Sequence, residues 1–135
     1  MHDFTLMDDC PCCSHKAFAA CCGRFIEHGK TATIAMQLMR SRYSAYALGN
    51  LNYILATWHP ETRPTLEALQ SPPQTTWCQL EIIRCQRGSL RDQQGSVEFI
   101  ASYKNRLGLI ETLHERSRFV RENGHWLYID GTIIS

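Results

Sequence analysis

From Ile34 onward, apolar residues recur at helical spacing, and Ile34, Leu38, Ala45 and Leu48 predict one long amphipathic helix. Gly49 breaks the pattern, and Asn50 is placed to cap a second helix. Leu51, Ile54, Leu55 and Trp58 form the apolar stripe of that shorter helix, which Pro60 prevents from continuing. The stretch "TRPTLEALQ" holds another brief helix, and "SPPQTT" reads as a loop.

At Trp77 the period changes from about four to two. "WCQLEIIRC" is a strand with Leu80 and Ile82 on one face, and "GSVEFIASYK" alternates with Val97, Phe99, Ala101 and Tyr103 on one side. "LIETLHERSRFVR" is a long strand that ends at the turn signal "ENG", and "HWLYIDG" returns as its hairpin partner. Helices followed by a run of strands predict an α+β fold with helices packed against an antiparallel sheet. No internal repeat or low-complexity tract interrupts this plan.

Composition narrows the function classes. The chain has 135 residues, enough for one ordinary domain plus a short appendage. Fourteen basic residues against thirteen acidic ones give no bulk attraction to nucleic acid or an anionic membrane. Nothing approaches the roughly 18 consecutive apolar residues of a membrane span. The opening "MHDFTLMDDC" is acidic where a signal peptide would be basic and then apolar, so a cytoplasmic location is expected. Thiols stay reduced there, which turns attention from disulfides to metal.

Five of the seven cysteines lie in "CPCCSHKAFAACCG", residues 10–23. Cys10, Cys12, Cys21 and Cys22 stand on two short arms, and four thiolates can close a tetrahedral shell around Zn2+. Such a shell leaves no position for water, so the expected site is structural. Pro11 restricts the first arm, and Gly23 can turn the chain away after the second. Cys13 makes a C-x-x-C pair with Cys10 and is an alternative metal ligand in place of Cys12. Cys78 and Cys85, seven apart, are expected on opposite faces of one strand as small core or edge residues.

The stretch resembles the SEC-C motif, a small zinc-binding element found at the C-terminus of the SecA translocation ATPase and in many bacterial proteins. The match runs through Cys10, Pro11, Cys12, Ser14, Lys16, Phe18, Cys21, Cys22 and Gly23. Cys13 and His15 stand where the usual form has glycines. Two longer segments, "LMRSRYSAYALGNLNYILATWHPETRP" and "HERSRFVRENGHWLYIDG", are similar to signature stretches of the bacterial YchJ-like family. That resemblance spans about residues 10 to 131 and implies a cone-like α+β fold similar to nuclear transport factor two, with a curved antiparallel sheet around helices. The implied organisation is a SEC-C-like zinc element and linker over residues 1–30 and a cone-like domain over 31–135. Many relatives carry a second SEC-C motif after the domain. None occurs here through Ser135, so a function needing two zinc elements is not expected.

Several polar residues fall on apolar elements. Arg42 borders the buried stripe of the long helix, where an unpaired guanidinium is costly. Glu111, Leu113, Glu115, Ser117 and Phe119 share one strand face, while His114, Arg116 and Arg118 form a solvated strip on the other. Glu115 is therefore expected inside, as partner to Arg42 or Arg40. Asp130 alternates with Trp126 and Tyr128 and is expected in the same group. Either Arg42, Glu115 and Asp130 make a buried ion network, or they line a pocket with Tyr46, Trp58, His59 and Trp126. In the second case His59 and Asp130 are candidates for an acid–base pair.

Two functions follow from these features. One is a zinc-stabilised protein-interaction or adaptor module, since the SEC-C element on the translocation ATPase implies partner docking. The other is a small-molecule binder or acid–base enzyme using the pocket. Nucleic acid is not an expected partner, because the basic strip has no aromatic to stack a base.

Overall fold

The computed structural model describes residues 4–70 and 75–134. A hairpin closed by a bridge between Asp9 and Ala17 carries the first cysteines. It leads into a 3-10 turn, Phe18–Ala20, and a one-turn helix α1, Gly23–Ile26. Then come α2, Ala35–Leu48, α3, Leu51–Ala56, and α4, Leu66–Gln70. Four strands complete the chain: β1, Thr76–Arg87; β2, Gln94–Lys104; β3, Ile110–Glu122; and β4, His125–Ile133. They form one antiparallel meander in chain order. Of the expected loop 71–76, residues 71–74 lie outside the described residues, and Thr76 already belongs to β1.

Helix α2 is buried on more than one side. It touches β1, β2 and β4 across the sheet, and α1 and α3 away from it. Leu38, Met39, Ser41, Arg42, Tyr43, Ser44 and Ala45 are all buried, whereas Leu48, expected in the stripe, is partly exposed. A single apolar stripe suits a helix with one packed face. This one is enclosed, and its polar residues each meet a different neighbour. Arg40 donates to the Cys12 carbonyl at 2.8 Å, Ser41 meets the Tyr53 hydroxyl at 2.7 Å, Arg42 donates to the Ile54 carbonyl at 2.9 Å, and Ser44 approaches Cys10 Sγ at 3.4 Å.

Both ends of α2 are anchored. Its first N–H, on Ala35, donates to the Gly88 carbonyl in the β1–β2 turn at 2.9 Å. Gly88 has φ +77, and a Cβ there would meet the Ala35 Cβ at 2.8 Å, so the turn and the helix are in backbone contact. Gly49 ends the helix in the left-handed region at φ 76, and the Asn50 side chain accepts from Tyr53 N–H at 3.0 Å to start α3.

Three register shifts shape the sheet. β1 carries an extra residue at Cys78 and another at Ile83, and β4 carries one at Ile129. Each bulge reverses the inward–outward alternation beyond it. The shift at Ile129 corrects one expectation: Phe119 faces Tyr128, but Arg118 faces Asp130. Asp130 therefore leaves the face of Trp126 and Tyr128 and pairs with Arg118 outside, at 2.6 and 2.5 Å. The Ile129 carbonyl accepts from the Thr62 hydroxyl at 2.6 Å. The bulges also break the regular strand assumed for Cys78 and Cys85, and both of these cysteines are exposed on edge strand β1.

Residues Thr57–His59 lie along β4. Tyr128 N–H donates to the Thr57 carbonyl and His59 N–H to the Tyr128 carbonyl, each at 2.8 Å. This parallel bridge aims the Trp58 ring at Tyr128, with centroids 4.8 Å apart. A single core runs from Cys10, Cys12, Phe18, Cys21, Cys22 and Phe25 through Leu38 to Val97, Phe99, Phe119 and Trp126. The cysteine element is thus packed into the same core as the helices and sheet. Among the described residues, no helix is long and apolar enough to cross a membrane.

Candidate metal centre and cavity

The hairpin and α1 bring Cys10, Cys12, Cys21 and Cys22 together, buried, with all four sulfurs within 4.8 Å of one another. In a tetrahedron with metal–sulfur bonds of about 2.3 Å, neighbouring sulfurs stand about 3.8 Å apart. The Cys12–Cys21 sulfur distance is 3.6 Å, so the set fits a tetrahedral ion. Hydroxyls and a cation support it: Ser14 lies 3.1 Å from Cys21 Sγ, Ser44 3.4 Å from Cys10 Sγ, and Arg40 3.8 Å from Cys12 Sγ. These are the outer contacts that orient thiolates and offset their charge.

The thiols compete for protons. Cys12 is held far below the ordinary thiol range by hydrogen bonds from Cys10 and then Cys22. Cys22 is pushed far above it by hydrogen bonds with Cys10 and Cys12 and then by burial. Cys10 is also pushed up, chiefly by Cys12. Four buried thiols this close cannot all ionise unless a cation sits among them.

Cys13 points elsewhere. Its sulfur accepts from the Leu80 N–H of β1 at 3.4 Å and lies outside the four-sulfur group. Cys13 and His15 have φ of 66 and 67, both left-handed. These are the two positions where the usual motif has glycine, so the chain carries a backbone strain of about 1 kcal/mol at each.

On the sheet side of α2 lies a cavity of about 290 Å³. Arg42, Tyr46, Trp58 and Glu115 line it, together with Met39, Tyr43, Trp77, Phe99, Ala101, Leu113, Ser117 and Tyr128. Trp77 and Leu113 also border an adjoining surface depression. Arg42 is only 5% exposed. It donates to the Ile54 carbonyl and, at 2.7 Å, to the Thr57 hydroxyl, and it lies 5.0 and 4.6 Å from the ring centroids of Trp58 and Tyr128. Burial pulls its pKa down, while the Tyr46, Tyr128 and Tyr53 hydroxyls and Glu115 partly restore it.

Glu115 faces the cavity but is not within ion-pair distance of Arg42. Its Oε2 accepts from the Ser117 hydroxyl at 2.7 Å and lies over Gly131, where a Cβ would overlap it. Burial raises the Tyr46 pKa and pushes that of Tyr128 up to about 12, with Glu115 adding to both, so both hydroxyls remain donors at neutral pH.

Three residues expected in the pocket lie outside it. His59 is buried, and its backbone N–H takes part in the bridge to Tyr128. Its Nδ1 accepts from Glu61 N–H at 3.1 Å, which leaves the proton on Nε2 to donate to Glu122 at 3.0 Å. Trp126 donates from Nε1 to the Thr33 carbonyl at 3.1 Å and packs under Arg121, near the start of α2. Asp130 is outside with Arg118, so the His59–Asp130 pair and the Arg42–Glu115–Asp130 ion network do not form. Two residues of the expected basic strip have acidic partners, His114 with Glu98 at 2.7 Å and Arg118 with Asp130.

Sequence reading missed Ser44, Thr57 and Gly131, and Arg40, offered as an alternative partner of Glu115, donates instead to the Cys12 carbonyl. The signal for the helix residues was available, since Arg40 and Ser44 are four apart and share the face that meets the cysteines. Gly131 carries no such signal.

The profile of the YchJ middle, NTF2-like domain matches residues 34–131. A UPF0225 protein of Chromobacterium violaceum is 49% identical over 126 residues, covering 92% of each chain. A UPF0225 protein of Streptomyces coelicolor is 45% identical over 127 residues, covering 93% of this chain and 95% of its own. The solution structure of RPA3114, a SEC-C motif containing protein from Rhodopseudomonas palustris, superposes with a TM-score of 0.85 at 30% identity. It covers 95% of this chain and all of its own. The crystal structure of a SEC-C motif containing protein from Psychrobacter arcticus gives a TM-score of 0.77 at 26% identity, covering 96% and 85%. With its α+β sheet, its cysteine cluster and these matches, the chain belongs to the YchJ (UPF0225) family and carries that family's NTF2-like domain.

Proposed function

We propose that the protein is a zinc-stabilised binding protein whose NTF2-like cavity takes a small ligand. The observation that carries this reading is Arg42: buried, charged, facing a cavity, and without a carboxylate at ion-pair distance among the described residues. A guanidinium so placed is expensive, and a purely structural residue would be better served by a paired acid. In this reading the four cysteines hold one structural Zn2+, which fixes the hairpin against α2 from the opposite side. No position on the metal is left for chemistry. Reduced thiolates suit a cytoplasmic setting.

Purified, never-chelated protein should contain one zinc per chain by elemental analysis. Trp58 and Trp77 line the cavity, so their fluorescence should respond saturably to a small aromatic probe such as benzyl alcohol. A protein with no zinc, or with no response to the probe, would remove the corresponding half of the reading.

A second reading, the protein-interaction or adaptor module, draws support from the apolar segment beside the metal group. Leu6 and Met7 are 42% and 79% exposed there. If that role is correct, partners recovered with the intact chain should be lost on replacing Leu6 and Met7 by serine while zinc is retained.

A further inference from the structure

The two charged residues of the cavity are of opposite sign and are held apart. Arg42 is fixed at one side by the Ile54 carbonyl and the Thr57 hydroxyl. Glu115 is fixed at the other by Ser117 and by the clearance over Gly131. Arg42 feels the charge of Glu115 without forming a contact with it. The rest of the wall is largely aromatic: Trp58 stands edge-on to Tyr128, and Trp77 lies 5.9 Å from Tyr43 and 6.4 Å from Tyr46 between ring centroids.

Each feature limits the ligand. A monoanion would gain Arg42 but bring its charge toward Glu115, a repulsion that weighs more beside a largely apolar wall than in bulk water. A monocation would meet the reverse problem. A molecule with both signs, a few ångströms apart, satisfies both walls at once. The aromatic lining favours a flat apolar body over a sugar or a polyol. A volume of about 290 Å³ sits at the small end of ordinary ligand sites, which suits one ring with a short polar tail.

We infer that the cavity binds a net-neutral aromatic zwitterion, chemically an aromatic α-amino acid, with its carboxylate at Arg42, its ammonium at Glu115 and its ring among Trp58, Trp77 and Tyr43. This inference rests on the ligand-binding reading above. The Tyr46 hydroxyl, beside Arg42, is the second donor for the carboxylate. No bond is made or broken, so the role is recognition.

The test uses the full, zinc-loaded chain and three probes with one ring and different charges: phenylalanine, 3-phenylpropionate and phenethylamine. Their binding is followed by Trp58 and Trp77 fluorescence. Phenylalanine should bind about tenfold tighter than either singly charged probe, as expected for one lost charge-assisted hydrogen bond. Glu115→Gln keeps the shape and removes the negative wall. It should raise the affinity for 3-phenylpropionate and lower that for phenylalanine, reversing their order. Gly131→Ala, which displaces the Glu115 carboxylate without changing charge, should weaken phenylalanine alone. Equal affinities for the three probes, or an unchanged order in Glu115→Gln, would overturn the inference. Silence toward all three with a response to benzyl alcohol would overturn the zwitterion and leave the ligand-binding reading intact. Silence toward all four would overturn both.

Discussion

The two faces of α2 handle polar groups in opposite ways. Toward the cysteines, Arg40 and Ser44 are each committed to a neighbour within the chain, and the four sulfurs leave room only for an ion. Toward the sheet, Arg42 and Glu115 keep apart across a cavity. The first arrangement is closed and serves stability. The second holds opposite charges unpaired, which costs stability and is the kind of expense a binding site accounts for. A helix of fourteen residues thus separates the cysteine group from the cavity, with its polar side chains divided between them.

The contrast can be broken most forcefully at the metal. Chelation, or Cys12→Ser, should cost on the order of 5 kcal/mol and melt the hairpin, because a small metal element has little else to hold it. Denaturant unfolding and loss of zinc would report this. Cys13→Ser should retain the metal, and the opposite ranking of these two variants would reassign the ligand. At the cavity face, Arg42→Leu should cost only about 1 to 2 kcal/mol in urea unfolding, since the Ile54 carbonyl and Thr57 hydroxyl lose a donor while relief of the unpaired buried charge offsets part of that loss. Zinc content should not change.

Gly131→Ala is a finer probe. Its Cβ must push aside the Glu115 carboxylate, the end of a flexible side chain, so a loss of about 1 kcal/mol is expected alongside the altered binding. The smallest effect belongs to the exposed Arg118–Asp130 pair. The Arg118 hydrogen bond holds the Asp130 carboxyl below the usual carboxylate range. Its stabilisation is therefore present in full above about pH 4 and is lost as the pH falls through the lower, folded value. Asp130→Asn should cost less than about 1 kcal/mol at neutral pH and nothing in acid below both values. Thermal unfolding across that range would show it.

What could be read from the chain depended on distance in sequence. The cysteine group is assembled from fourteen consecutive residues, so spacing and the SEC-C resemblance pointed to four sulfurs that meet, while spacing alone left Cys13 open as an alternative to Cys12. The elements were legible because their periods were clear, and the α+β order followed. Asp130 was misplaced because parity counting assumes an unbroken ladder, and one extra residue at Ile129 reverses every side chain beyond it. No feature of "LYIDG" announces the bulge; it is held by Thr62, sixty-seven residues away. Arg42 was rightly seen as a burial problem, but its partners proved to be a carbonyl near the end of α3 and a hydroxyl just beyond. Helix ends offer such unsatisfied carbonyls, and a search restricted to carboxylates overlooks them.

Two of the sheet's three hairpins also differ in how much alteration they can absorb. Around Gly88 the main chain rests directly on Ala35, so anything inserted there would unseat the start of the central helix. At the β2–β3 tip, Leu107 is 83% exposed and Gly108 has open space around it. A fluorophore, an affinity handle or a surface tether for single-molecule work belongs at that tip, where it would leave the start of the central helix untouched.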